Sequence, residues 1–442
     1  MRAGVDKRAM AALSAGHLAT DLAQGALPAL LPFLKAEFGL SYAMAAALVL
    51  ASTIASSVIQ PAFGLWSDAR GALWLLPAGV ALSCVAMAFV AIAPSYALAM
   101  LAVLVSGVGV AAYHPEGSKF ASYVSGERRA SGMALFSIGG NVGFALGPLV
   151  ASGAVLALGL HGGLLLAVPG IVVAAFLVTA SPYLARFVPD RRRLSGATRE
   201  PSQSRALGLL LGLLLAVPGI VVAAFLVTAS PYLARFVPDR RRLSGATREP
   251  SQSRALGLLL AVVGCRSLAH MGLFTFVPLW EVAKGNSKTH GTLLLSFFLF
   301  AGALGTLAGG PLADRFGRRP VLLWSLVASA PLILVYVLVG GMLGGTALAL
   351  AGATVIGTFG VTLVMSQEYM PGRVGMASGL SIGLSIGLGG VAAVLVGAIA
   401  DAVDLHVALV ACAVGPAVGV PLTLLLPPVS RRGLIEPAPS TI

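Results

Sequence analysis

Apolar residues run through this chain in long stretches separated by short polar breaks, with no sustained alternation of the kind a half-buried strand shows. A bilayer crossing needs about 20 such residues in a helix. The pattern predicts helical spans over residues 9–34, 42–65, 72–94, 97–119, 131–158 and 163–184. A second set follows over 255–281, 290–311, 320–340, 344–367, 374–400 and 405–428. The first span is not uniformly apolar. His17, Asp21, Gln24 and Pro28 recur at i, i+4, i+7 and i+11, so they share one helical face. An ionisable group at mid-membrane costs roughly 2.5–3.5 kcal/mol on insertion scales. A face carrying two of them is expected to turn toward a water-filled cavity and away from lipid.

The composition agrees. Hydrophobic residues make up 57% and charged residues only 10% of the 442, against about 25% charged in soluble domains. Mean hydropathy is +0.93. The first run is too long for a signal-peptide core and is followed by further spans, so it is read as a retained helix. The net charge of +13 reads as membrane topology rather than nucleic-acid binding, because the cations gather in alternate loops. Lys119, Arg128 and Arg129 follow the fourth span, and Arg186, Arg191, Arg192 and Arg193 the sixth. Arg315, Arg318 and Arg319 follow the eighth, Arg373 the tenth, and Arg431 and Arg432 the last. The opposite loops hold only Lys35, Lys284 and Lys288. The positive-inside rule then gives twelve spans in a cell (inner) membrane with both termini cytoplasmic. Cys84, Cys265 and Cys412 all lie in apolar runs and read as small core residues, with no disulfide or metal role.

The two sets of spans resemble each other. Arg129-Ala-Ser-Gly132-Met133-Ala134 opens the fifth span and Arg373-Val-Gly375-Met376-Ala377 the eleventh. Gly64-Leu-Trp-Ser-Asp68-Ala-Arg70-Gly71 ends the second, and Gly310-Pro-Leu-Ala-Asp314-Arg315-Phe-Gly317-Arg318-Arg319 the eighth. His17-x-x-x-Asp21 in the first span corresponds to Arg266-x-x-x-His270 in the seventh. This predicts an all-α polytopic membrane protein of two six-helix bundles. They are related by a pseudo-two-fold axis along the membrane normal, with substrate between them near the midplane.

Residues 163–211 recur without change as residues 212–260, a 49-residue tandem duplication. The copy adds one apolar segment, 206–233. The division expected is an N-terminal bundle over 1–185, a basic linker over 186–254 holding that segment, a C-terminal bundle over 255–430 and a tail over 431–442. An odd span would invert the second bundle against its basic loops. The extra segment is therefore expected at the periphery, re-entrant or interfacial.

Asp21 is the first candidate proton carrier, because a mid-membrane carboxylate can load and release a proton as a cavity changes sides. His17, one turn away, can hydrogen-bond it or titrate beside it. The bland alternative is a static polar pair. Arg266 can grip a phosphonate or carboxylate with a two-pronged guanidinium, and His270 shares its helical face; the alternative is a salt bridge to Asp21. His114-Pro115-Glu116 forms a second charged site, with Glu116 either serving transport or simply pairing with Lys119. Gln367 and Glu368 are its near-equivalent in the tenth span. Gln24, Gln60 and Asn141 either line the cavity or join helices. Asp68, Arg70, Gly310, Asp314, Arg315, Gly317, Arg318 and Arg319 form paired loops, with an Asp placed to satisfy free N–H groups of a following helix. Gly139, Gly140, Gly143 and Gly147 permit close helix packing.

The 6+6 plan with GxxxDRxGRR after the eighth span resembles the major facilitator superfamily. Within it the chain is similar to the fosmidomycin resistance protein family, through HLATDLAQGALPALLPFL (17–34), SSVIQPAFGLWSD (56–68), AAYHPEGSKFAS (111–122), RRASGMALFSIGGNVGFALGP (128–148) and GCRSLAHMGLFTFVPLW (264–280). The resemblance implies a proton-driven antiporter that exports small toxic compounds by alternating access, fosmidomycin itself being a phosphonate anion. It also implies that the paired loops act as a cytoplasmic latch. Two features depart from the better-known drug antiporters of the superfamily: Gly143-x-x-x-Gly147-Pro148 continues without a glycine pair, and Val103–Ala112 holds no cation.

The alternative within the same fold is import of a small metabolite. An intramembrane enzyme is not expected, since neither paired Asp-rich motifs nor HExxH occur, and no filter-like loop suggests a channel. The expected partners are a small-molecule substrate, protons and the lipid bilayer. No nucleic acid and no cofactor beyond the proton gradient are expected, and the chain is expected to work as a monomer.

Overall fold

Twelve long helices succeed one another in the computed structural model, which describes residues 4–60, 63–64, 72–126, 129–187, 252–370 and 374–427. In chain order the first six are α1 (Lys7–Phe38), α2 (Tyr42–Val58), α3 (Leu75–Ile92), α4 (Tyr96–Val124), α5 (Arg129–Leu158) and α6 (Ala167–Leu184). The second six are α7 (Ser253–Ala283), α8 (Lys288–Phe316), α9 (Arg318–Val339), α10 in two pieces (Gly341–Gly357 and Phe359–Tyr369), α11 (Val374–Ala402) and α12 (Leu405–Leu424). Among the described residues ten helical segments are long and apolar enough to cross a membrane, and α2 is apolar but shorter. α1 is long enough but carries His17, Asp21 and Gln24 along its length.

The ends of these helices follow local chemistry. Asp6, Ser41, Ser95, Ser287 and Asp404 each accept a backbone N–H from the first turn of α1, α2, α4, α8 and α12. Such caps satisfy donors that the helix itself leaves free. Gly39 ends α1 in the left-handed region, at φ 61°, where a Cβ would be strained.

Each expected span falls on one of these helices, with three differences. α2 ends at Val58, short of the expected 65. α4 and α8 continue past the expected 119 and 311 to Val124 and Phe316. Hydropathy falls where the membrane ends, but helical hydrogen bonding does not. The tenth span is broken at Gly357–Thr358 (φ −94°, ψ 9° at Thr358). The continuation of α8 also corrects the expected role of Asp314. It lies inside the last turn of α8 instead of capping α9, which follows Gly317 without a side-chain cap.

The face of the bundle at which α1 begins and α12 ends is here the terminal face; the opposite end is the distal face. α1 packs most extensively on α5, α3 on α4, α8 on α10, and α7 on α11 and α12. The halves meet through α2 against α11 and α5 against α8. Gly139, Gly143 and Gly147 of α5 face the carbonyls of Ser14, Leu18 and Leu22 of α1 so closely that a Cβ at any of them would collide with backbone. This glycine ridge brings α5 onto α1 beside His17 and Asp21, as small-residue interfaces do in membranes. Asp68, Arg70, the apolar segment 206–233, the basic linker up to residue 251 and the tail from 428 lie outside the described residues.

Candidate transport site

His17 and Asp21, one turn apart on α1, meet His114 of α4. His114 Nε2 lies 3.0 Å from Asp21 Oδ1, and His17 Nε2 lies 3.3 Å from Asp21 Oδ2. His114 thus belongs with the first-span pair and not with Glu116. The sequence neighbours part because α4 places them on different sides. Glu116 pairs with Lys119 at 2.6 Å and is buried to 1% exposure, which is the pairing reading for that residue.

His17 is held on its other side by α5. Its Nδ1 lies 2.9 Å from the carbonyl oxygen of Phe136, and the two rings stack with centroids 4.2 Å apart. A carbonyl only accepts, so Nδ1 carries the proton of that bond. In a neutral ring Nε2 is then a bare acceptor, yet it points at a carboxylate oxygen. Two acceptors in contact repel unless a proton lies between them. The geometry therefore calls for a proton between His17 Nε2 and Asp21 Oδ2, carried by either group. By type and spacing the three groups could also hold a divalent ion, since their ligand atoms lie within 4.8 Å of one another. Asp21, His17 and His114 are 15%, 13% and 21% exposed, so the cluster is neither sealed nor solvated. Gly140 backs it: a Cβ there would collide with His17 and Asp21.

The second half presents the opposite chemistry. Arg266 of α7 is 3% exposed. Nη1 donates to Thr358 Oγ1 at 3.3 Å and Nη2 to Ser385 Oγ at 3.4 Å. Ser267 lies 3.3 Å from Ser385 and Ser325 donates to Thr358 at 3.4 Å, extending the hydroxyl lining. The Phe359 ring centroid is 5.8 Å from the guanidinium carbon. No carboxylate lies within ion-pair distance of Arg266 among the described residues, so the possible salt bridge to Asp21 is not formed. His270 Nε2, one turn along, is buried without a hydrogen-bond partner among the described residues.

Of the neutral polar candidates, Gln24 joins helices, donating to Ser56 of α2 at 3.3 Å. Gln60 and Asn141 are half-buried and bond to neither cluster. At the terminal face Arg318 pairs with Glu368 at 2.5 Å. Arg319 donates to the carbonyls of Thr423 and Leu424, so this loop ties α9 to α10 and α12 within the second half. Arg315 lies over the ring of its neighbour Phe316, Asp314 and Gly310 are exposed, and Gly317 supplies the turn at φ 94°.

Sequence reasoning missed the hydroxyls of Thr358, Ser385 and Ser267, which look like ordinary small residues of apolar spans. It also missed Glu281 near the distal end of α7. That carboxylate is 1% exposed and is met by Lys284 at 2.8 Å, Tyr336 at 2.9 Å and Asn286 at 2.6 Å. A lone acid at the end of an apolar run was the available signal.

The model of the Major Facilitator Superfamily matches residues 13–280 and 259–441. The chain belongs to the Major Facilitator Superfamily. As a member it is a multi-pass membrane transporter of small molecules and not an enzyme. It is 31% identical over 411 residues to the uncharacterised MFS-type transporter YfnC of Bacillus subtilis (strain 168), covering 93% of this chain and 90% of that one. It is 28% identical over 420 residues to the fosmidomycin resistance protein of Escherichia coli (strain K12), covering 95% and 92%. Among solved superfamily-like folds, a bacterial homologue of the human lysosomal transporter Spinster, inward-facing and occupied, superposes with TM-score 0.69 at 15% identity over 94% of this chain and 96% of that one. A mutant of the nucleoside transporter NupG gives 0.67 at 16% over 95% and 99%.

Proposed function

We propose that this transporter exports small anionic, fosmidomycin-like compounds in exchange for protons, with its terminal face in the cytoplasm. The observation that carries the reading is the division of charge between the halves. Asp21 and its two histidines close on one another in the first half, in an arrangement that needs an extra proton. Arg266 stands in the second with hydroxyls but, among the described residues, no carboxylate. An uncompensated buried cation is costly, and a phosphonate or similar anion supplies the missing charge through a two-pronged contact. Protonation of the triad and occupation of Arg266 are then the two events that alternating access would couple. The arginine loops at the terminal face support its cytoplasmic placement, and the 28% identical fosmidomycin resistance protein supports the substrate class.

The test uses everted membrane vesicles with an imposed pH gradient, followed by a pH-sensitive dye. Addition of fosmidomycin should discharge the gradient through this chain, with a chelator present or absent, and Asp21→Asn should abolish the response at equal protein in the membrane. A response in the Asp21→Asn vesicles would remove that residue from coupling. No response to fosmidomycin from the inserted native chain would overturn the substrate. A response lost with chelator would assign the triad to a metal ion instead.

A further inference from the structure

We propose that Asp401 is a latch that holds the distal ends of the two halves together, and that it must let go of α2 each time the distal side opens. Asp401 sits in the last turn of α11, in the second half. Its carboxylate crosses to the first half and accepts the two leading backbone N–H groups of α2, Tyr42 N to Oδ1 at 2.7 Å and Ala43 N to Oδ2 at 2.9 Å. Those donors have no partner inside their own helix. The N-terminal end of a helix also carries partial positive charge, so a carboxylate there gains both bonds and dipole. Ser41, the cap of α2 from its own half, takes Met44 N and leaves the first two donors to Asp401.

Three further contacts place this bond on a closing surface. One turn before Asp401, Gly397 lets α11 lie directly on α2: a Cβ there would sit 2.8 Å from both Tyr42 O and Ala43 Cα. Tyr42 also packs against Phe276 of α7, ring centroids 6.4 Å apart. Lys288 of the second half reaches over the ring of Phe33 on α1, 4.0 Å from its centroid. All of these join one half to the other, and all lie toward the distal face. The latch differs in kind from the arginine loop at the terminal face, which ties helices of the second half to each other.

An internal control exists three residues on. Asp404 makes the same chemical bond, Oδ1 to Val407 N at 2.6 Å, but caps α12 within its own half. Breaking it removes a cap without touching the contact between halves.

The proposal rests on the alternating-access reading of the superfamily fold and, for which preparation exposes the distal side, on the cytoplasmic terminal face proposed above, but on neither the proton nor the substrate. Its test therefore needs neither. Thr53 on α2 is 4% exposed, and a Cβ at Gly390 of α11 would collide with it. Thr53→Cys is then a reporter of separation between α2 and α11. It is labelled with a membrane-impermeant maleimide, in intact cells and separately in everted vesicles, and the parent chain with its three native cysteines gives the blank. Asp401→Ala should raise the labelling rate from the distal side by roughly twofold to fivefold, the range a carboxylate at an exposed helix N-terminus is worth. Asp401→Asn, which keeps one acceptor, should fall between. Asp404→Ala should leave the rate at its starting value. An unchanged rate in Asp401→Ala overturns the latch. An equal rise in Asp404→Ala also overturns it, because the effect would then be general loosening. A rise seen only from the terminal side would overturn it too, since α2 and α11 would then be parting at the other end.

Discussion

His17 donates from Nδ1 to the Phe136 carbonyl at 2.9 Å, so α5 fixes which nitrogen of a ring on α1 faces Asp21. The bond is a positioning device: it turns Nε2, and whatever proton it carries, toward the carboxylate. His17→Gln should therefore abolish proton-driven transport while leaving downhill exchange of substrate across the membrane intact. Counterflow of labelled substrate, measured beside proton-driven uptake into everted vesicles, separates the two. Equal loss of both would mean that His17 binds substrate.

Among the described residues Arg266 hydrogen-bonds only to hydroxyls, and its removal deletes the charge that an anion would meet. Arg266→Ala should weaken apparent substrate affinity by roughly tenfold to a hundredfold, as expected for charge-assisted hydrogen bonds. Arg266→Lys should recover only part of it, because an ammonium has no planar fork. Binding measured by tryptophan quenching or scintillation proximity on purified protein checks this. Full affinity in Arg266→Ala would send the search for the anion site elsewhere.

Gly140 and Gly143 stand three positions apart on α5 but meet different atoms. Gly143→Ala presses on the Leu18 backbone and should lower stability by about 1–3 kcal/mol through overpacking, seen as a fall in melting temperature in detergent. Gly140→Ala presses on the side chains of His17 and Asp21, which can move. It should spare more of the stability and still abolish coupled transport. The reverse pattern would show that the triad is not held by α5.

Arg318 and Glu368 are 25% and 16% exposed, so their pairing should be modest in stability. A double-mutant cycle with Arg318→Ala and Glu368→Ala should give a coupling of roughly 0.5–1 kcal/mol. The larger effect should fall on transport rate if this loop biases one state of the cycle. Rates that follow stability alone would leave it a topology signal.

Deleting residues 212–260 removes one of two identical copies and leaves the sequence of all twelve helices represented. The shortened chain should insert and transport as the full chain does, judged by protection of sensitive cells. Gain of activity only on deletion would mean that the extra apolar segment disturbs the topology of the second half.

Much of the fold was legible from hydropathy because the bilayer demands it. A backbone in hydrocarbon must satisfy its own polar groups, so runs of about 20 apolar residues can only be helices, and their number and order follow. The internal likeness of the two halves and the GxxxDRxGRR loop carried the family as well. Asp21 was legible for a related reason: an acid in an apolar run stands out against a background that excludes it.

Partners were not legible in the same way. One-dimensional spacing put His114 with Glu116, but the turn of α4 sends the first to Asp21 and the second to Lys119. Nothing in the apolar runs marked Thr358 and Ser385 as the groups around Arg266, nor Asp401 as the cap of a helix in the other half. Those contacts join residues far apart in the chain, and only helix packing decides them. The sequence by itself determined which charges enter the membrane; the tertiary structure decided which of them meet. The physical reason is that the energy of transfer into lipid belongs to each residue, whereas a hydrogen bond belongs to a pair.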